Sequence, residues 1–190
     1  MSRAERERQM LDVAEDVFAT QGYGAVSMEE IAVRVGLSKP MLYEYFGSKE
    51  GLLLATIARA RGELREATER AAAEGETAED KLYNGYLAYF RFNEAHHRAW
   101  LVLLQEPVPL NGAAGEIEAT RRQQTDLIVA QMERLAPDRP RRDLEAYAEI
   151  IVGACERLAL WRTRNPDVTP EEAARQMMDV TWTGLSAYGT

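Results

Sequence analysis

A single cysteine, Cys155, occurs in 190 residues, so no intrachain disulfide can form, and a reducing cytoplasm is the expected location. Histidine is almost as scarce, with two in the chain. The run Glu94-Ala95-His96-His97 has the look of a metal motif but lacks further Cys or His ligands nearby. A surface cluster at a helix junction is expected there, with no metal and no cofactor. No apolar run approaches the ~20 residues needed to cross a bilayer. The charged start, Met1-Ser2-Arg3-Ala4-Glu5-Arg6-Glu7-Arg8, has no signal-peptide core, so no membrane partner is expected. Strand-like alternation is missing too. Glycine-rich phosphate loops, nucleophile elbows and zinc-peptidase motifs do not occur. The carboxylate pairs Glu29-Glu30 and Glu171-Glu172 are accounted for by the positive ends of helix dipoles. Nothing argues for an enzyme.

Positive charge is also in short supply. The net charge is −8, and its distribution is uneven. Residues 1–61 carry 8 Lys/Arg against 9 Asp/Glu, while the remainder carries 15 against 22. The acidity sits in the later part, and any nucleic-acid contact must come from locally placed donors rather than bulk charge.

What is abundant is helical periodicity. Hydrophobic residues make up 46% and charged residues 28% of the chain, proportions of a soluble globular protein. Met10, Val13, Ala14 and Val17 follow the i, i+3, i+4, i+7 rhythm, and the helix they mark should stop at Gly22-Tyr23-Gly24. Ser27-Met28-Glu29-Glu30 reads as a reciprocal capping box. It opens a short second helix along Met28, Ile31, Ala32 and Val35, ended by Gly36. Pro40 disfavours helical geometry at Lys39, so a third helix is expected from Pro40 to Phe46, ended by Gly47. Ser48 caps a fourth, running to about Glu74. Five more helices are expected near 77–94, 96–106, 114–135, 140–164 and 170–188, with a loop at Pro107, Pro109, Asn111 and Gly112. Thr169-Pro170 opens the last by N-cap and proline. The fold class is all-α.

The two short helices joined by Gly36-Leu37-Ser38, with a supporting helix before them, form a helix-turn-helix candidate. Any small helical bundle can contain such a turn, so the chemistry of the third helix decides. Leu42 and Phe46 can face inward, leaving Lys39, Met41, Tyr43 and Tyr45 outward. Exposed Met and Tyr on a short helix are costly without a partner surface, and a DNA groove supplies one. Lys39, Tyr43, Tyr45 and Lys49 are long donors at or near helix N-termini, where backbone amides also favour phosphate.

The stretch Ser27-Met28-Glu29-Glu30-Ile31-Ala32 through Gly36-Leu37-Ser38-Lys39-Pro40-Met41-Leu42-Tyr43-Glu44-Tyr45-Phe46-Gly47-Ser48-Lys49-Glu50 resembles the DNA-binding signature of TetR-family regulators. Ala14 to Tyr23 resembles that family's first helix, and the match covers roughly residues 8–52. The resemblance implies that Ser27, Ser38, Tyr43, Tyr45 and Lys49 hold phosphates while Lys39, Pro40 and Met41 face base edges. Pro40 and Glu44 depart from the pattern: the first stands where a small residue is frequent, and the second is an acid among donors. The implied organisation is a helix-turn-helix domain at 1–48 and a helical ligand-sensing and dimerisation domain at 49–190.

In the later part, Leu144, Tyr147, Ile151, Ala154, Leu158 and Trp161 form one seam, and Ala173, Met177, Val180, Gly184 and Ala187 another. Spacing alone suits intramolecular core and subunit interface equally. The resemblance implies that the last two helices build a dimer interface, with Leu144, Tyr147, Ile151, Ala154, Leu158, Met177, Val180 and Gly184 in it. Aromatic residues crowd the fifth helix, and most suit core packing. The family's cavity position makes Tyr86, Phe90, Trp100, Leu104 and Trp161 candidate ligand-lining residues. The expected function is a ligand-responsive, sequence-specific transcriptional regulator, a repressor released from palindromic operator DNA by a small apolar or aromatic effector. Its expected partners are double-stranded operator DNA, a second copy of the chain and that effector. The alternative is a helical dimeric adaptor or ligand carrier without DNA binding.

Overall fold

The computed structural model describes residues 2–96 and 111–186. Among them are eight helices and no strand: α1 (Arg3–Gln21), α2 (Met28–Val35), α3 (Lys39–Phe46), α4 (Lys49–Ala73), α5 (Ala78–Ala95), α6 (Asn111–Leu135), α7 (Arg141–Arg162) and α8 (Pro170–Ser186). No helix among the described residues is long and apolar enough to cross a membrane. The helix expected at 96–106 lies outside the described residues. Asn111 and Gly112, expected in a loop, instead open α6. A helix's first amides have no intrahelical partner in any case, so poor helix formers cost little there.

The chain divides into two compact units. The first comprises α1, α2, α3 and α4 as far as Gly62, with His96 and the start of α6. The second comprises the rest of α4, α5, the remainder of α6, α7 and α8. Thus α4 belongs to both.

The first unit closes around one apolar cluster. Met10, Ala14 and Val17 of α1, Ile31 of α2, Leu42 of α3, and Leu52 and Ile57 of α4 are essentially sealed from solvent. Each of these side chains larger than Ala14 contributes about 1.5–3 kcal/mol of burial. Local chemistry fixes the helix ends. The Ser2 hydroxyl accepts from the Glu5 amide at 3.1 Å while the Glu5 carboxylate accepts from the Ser2 amide. This reciprocal cap was expected at α2 instead. There the Ser27 hydroxyl does accept from the Glu30 amide at 3.1 Å. The Glu30 carboxylate, however, accepts from Gln21 and Arg34 rather than reaching back.

In the second unit α5 and α8 pack most closely. Ala173 and Ala174 are fully buried and bring the α8 backbone near α5. The Tyr86 and Thr181 hydroxyls meet at 3.0 Å, and Arg91 donates to Glu171 at 2.7 Å across the same pair. Thr169 and Glu172 cap α8 reciprocally, as Thr77 and Asp80 cap α5. The core then adds Phe90, Val129, Leu144, Ala148, Ile151, Cys155 and Met177.

Candidate nucleic-acid interface and ligand cavity

The turn between α2 and α3 follows from one glycine. Gly36 has φ 76° and ψ 32°, a left-handed conformation that closes α2. The Leu37 amide then donates to the Ala32 carbonyl at 2.9 Å, and the Leu37 side chain packs on the first unit's core. Ser38 is the extended N-cap residue, and α3 starts at Lys39, one residue before the proline. The bias of a pre-proline residue away from helix is a preference, and it yields here in the first turn.

Three serines precede helices in this region, and their hydroxyls are used differently. Ser27 caps α2 and Ser48 accepts from the Gly51 amide at 2.9 Å. Ser38 makes no side-chain cap bond; its hydroxyl stands exposed at the start of α3 beside first-turn amides. A hydroxyl and amides together favour a phosphate oxygen. Next to it, the Lys39 ammonium lies 3.6 Å from Glu29, both largely exposed. Such a pair is worth little and exchanges readily for phosphate or base contacts. Pro40 is exposed, and Tyr43 is 43% exposed.

The remaining expected contacts are less available. Met41 and Tyr45 are half-buried and pack on the core of the first unit, not fully outward as the pattern suggested. The Arg3 guanidinium covers the Tyr45 ring at 5.0 Å. Arg3 therefore joins the candidate interface, brought beside α3 by a contact that helix periodicity could not reveal. Lys49 stacks on Tyr23 at 4.3 Å, and its burial lowers its pKa. The α3–α4 corner is also tight: a Cβ at Gly51 would stand 2.0 Å from the Phe46 carbonyl oxygen. Only glycine fits there without moving backbone, which fixes the exit angle of α3.

The second unit holds two cavities that share Lys81, Leu82, Ile128 and Gln131 as a common wall. The inner one, about 60 Å³, is lined by Thr68 and Ala72 of α4, Tyr86 and Tyr89 of α5, Gln124 of α6 and Cys155 of α7, among others. The outer one, about 360 Å³, lies among α5, α6, α7 and Trp182 of α8. Its size falls within the range of about 300–1,000 Å³ usual for small-molecule sites. Burial raises the pKa of the Tyr86 hydroxyl and the Cys155 thiol, so both stay protonated in an apolar setting.

Of the expected ligand residues, Tyr86 lines the inner cavity. Phe90 is fully buried in the core, Trp161 is exposed at the surface, and Trp100 and Leu104 lie outside the described residues. The expected dimer seam is also redistributed. Leu144, Ile151 and Met177 are buried in the subunit's own core, with Tyr147, Ala154 and Leu158 packed against it. Val180 is 78% exposed, and for Gly184 only its place in α8 is described. Among the described residues no group of three or more His, Cys, Asp or Glu could hold a metal ion; His97 lies outside them.

Comparison with known proteins agrees with this architecture. The sequence pattern of "Bacterial regulatory proteins, tetR family" matches residues 10–56, and that of "Tetracyclin repressor-like, C-terminal domain" matches residues 78–184. The chain is 26% identical to the transcriptional activator FasR of Mycolicibacterium smegmatis, over 98% of this chain and 85% of that one. A TetR-like regulator from Rhodococcus sp. RHA1 superposes with a TM-score of 0.75 at 32% identity, covering 98% of each chain. FadR from Bacillus subtilis, solved in complex with stearoyl-CoA, shares the fold at a TM-score of 0.80 and 19% identity, over 93% of this chain and 98% of that one. With a helix-turn-helix head, an all-helical second unit and matches to both halves, the chain belongs to the TetR family of DNA-binding transcriptional regulators.

Proposed function

We propose that the chain acts as a homodimeric repressor that leaves a near-palindromic operator when an apolar effector occupies the second unit. The observation that carries this reading is the composition of α4. Its first turn follows directly on α3, and Thr68 and Ala72 near its other end line the inner cavity. One continuous helix therefore joins the recognition element to the ligand chamber. A ligand that binds best with α4 displaced favours a dimer whose two α3 helices no longer match the groove spacing of about 34–36 Å. In the DNA-bound form, Ser38, Tyr43 and Arg3 hold phosphates while Lys39 and Pro40 meet base edges.

The dimer face in this reading is the exposed side of α7 and α8. Ile150 is 65% exposed, Trp161 39% and Val180 78%; exposed apolar groups of this kind favour burial against a partner. The long acyl ligand of FadR supports an apolar effector. FasR, an activator by name, supports a second reading in which the bound dimer raises transcription.

Selection from random duplex DNA tests the proposal, followed by binding at several salt concentrations and in-vitro transcription from the selected site. A palindromic site is expected, with affinity falling steeply in salt. Ser38→Ala and Tyr43→Ala should each weaken it roughly tenfold. Transcription lowered by the protein supports repression and transcription raised supports activation. No enriched site, with both variants indistinguishable from wild type, sinks the DNA-reading proposal and leaves the adaptor.

A further inference from the structure

The two cavities of the second unit differ in chemistry, and the difference describes a ligand. Around the outer one, Lys81, Arg134 and Arg139 are the charged side chains among the described lining residues, and no carboxylate joins them. In a chain of net charge −8, three cations and no acid among the described lining residues of one cavity is a local reversal of sign. Leu82, Leu135, Leu144 and Trp182 make the walls between them apolar. That combination fits an anionic head with an apolar chain.

The inner cavity has the opposite requirement. Gln124 is 8% exposed, and its side-chain Nε2 is buried without a hydrogen-bond partner among the described residues. An unmet buried donor costs about 1–3 kcal/mol, and it faces a chamber otherwise lined largely by apolar and aromatic groups. A neutral oxygen with no proton of its own satisfies it. A carboxylate suits it less, because Lys81, on the wall shared with the other cavity, is the one cation among the described residues lining this cavity, whereas the other cavity has three. The spacing is set by the helices. Arg134 and Gln124 are ten residues apart on α6, or about 15 Å at 1.5 Å per residue. Lys81 and Tyr89 on α5 span a similar interval of about 12 Å.

We infer that the two cavities form one site for a long-chain carboxylate bearing a carbonyl near its far end. The carboxylate is held by Lys81, Arg134 and Arg139, the chain passes Leu82 and Ile128, and the carbonyl oxygen accepts from Gln124 Nε2. This deepens, and rests on, the proposed ligand-responsive role of the second unit.

The test uses the intact protein, with laurate and (ω−1)-oxolaurate as probes and phenylnaphthylamine, a neutral apolar dye, as reporter. Both acids should displace the dye. Oxolaurate should bind about tenfold more tightly than laurate, the worth of one hydrogen bond to a buried donor. Gln124→Leu should erase that preference while leaving laurate bound. Lys81→Gln combined with Arg134→Gln should weaken both acids and remove most of the salt dependence of their binding. If the dye binds but the acids fail to displace it, or the two acids compete equally, the inference is wrong while a ligand chamber remains. If neither dye nor acid binds, the inference and the ligand-responsive reading fall together.

Discussion

Glu15, near the middle of α1, shows how one charged side chain can hold an element in place. Its carboxylate accepts from His96 Nδ1 at 2.7 Å and from the Arg59 guanidinium of α4, and only 15% of its side chain is exposed. Arg59 also donates to Asp12 one turn earlier on α1. His96 first, helped by Arg59, holds the Glu15 carboxyl below its ordinary value of 4.5 against the opposing push of burial. Because the folded value is lower than the unfolded one, Glu15 stabilises the fold above that ordinary value and loses its contribution as pH falls through the folded value. Glu15→Gln should therefore cost about 1–3 kcal/mol at neutral pH. Urea unfolding of wild type and variant across pH checks it: the gap should be widest at neutrality and close as pH drops below about 4.5. A gap constant across that range would show that Glu15 acts through packing alone.

At the scale of elements, α7 carries two apolar faces, and only one can be the subunit's own. Leu144, Ala148, Ile151 and Cys155 are buried inside, whereas Ile150 and Trp161 point to solvent. If the second face meets a partner chain together with Val180, then Ile150→Glu should yield a monomer by sedimentation. Its far-ultraviolet spectrum should stay helical, and operator affinity should fall about a hundredfold or more through lost bivalency. A variant that remains dimeric moves the interface elsewhere. This helix also shows where the sequence stops being informative. The recognition turn was legible because its causes are local: Gly36 supplies a left-handed cap, and Ser27 and Ser48 supply N-terminal caps. Spacings of three and four likewise mark apolar stripes on α7, but they do not say which stripe faces inward, since Ile150 and Ile151 both belong to one. The seam through Leu144 and Ile151 was thus readable as a seam and not as core. Gln124 was invisible for a related reason, being an ordinary polar residue until the fold encloses it. Gly51, required by a close approach of the Phe46 carbonyl, gives no sign in sequence beyond being a glycine near a helix start.

For the molecule as a whole, the proposed regulation is a statement about coupled equilibria, and coupling must be reciprocal. An effector that lowers operator affinity by some factor must itself bind more weakly, by the same factor, when the operator is present. Couplings of this kind typically run to about 5–150-fold. The path available to carry it is α4, whose Thr68 and Ala72 line the inner cavity and whose first residues, past the tight Gly51 corner, follow directly on α3. A substitution that alters the α4 end of the chamber without touching DNA should then change the coupling and spare operator affinity in the absence of effector. Ala72→Val fits this purpose, adding bulk at the cavity wall far in sequence from the recognition turn. Its expected effect is a shift of severalfold in the effector's ability to release operator, with operator affinity in the absence of effector near that of wild type. Titrating effector with and without operator, and operator with and without effector, closes the thermodynamic cycle for both proteins. Equal factors around the cycle, altered together in Ala72→Val, place the coupling in α4. If effector and operator bind independently in wild type, the second unit does not regulate the head, and the repressor is constitutive.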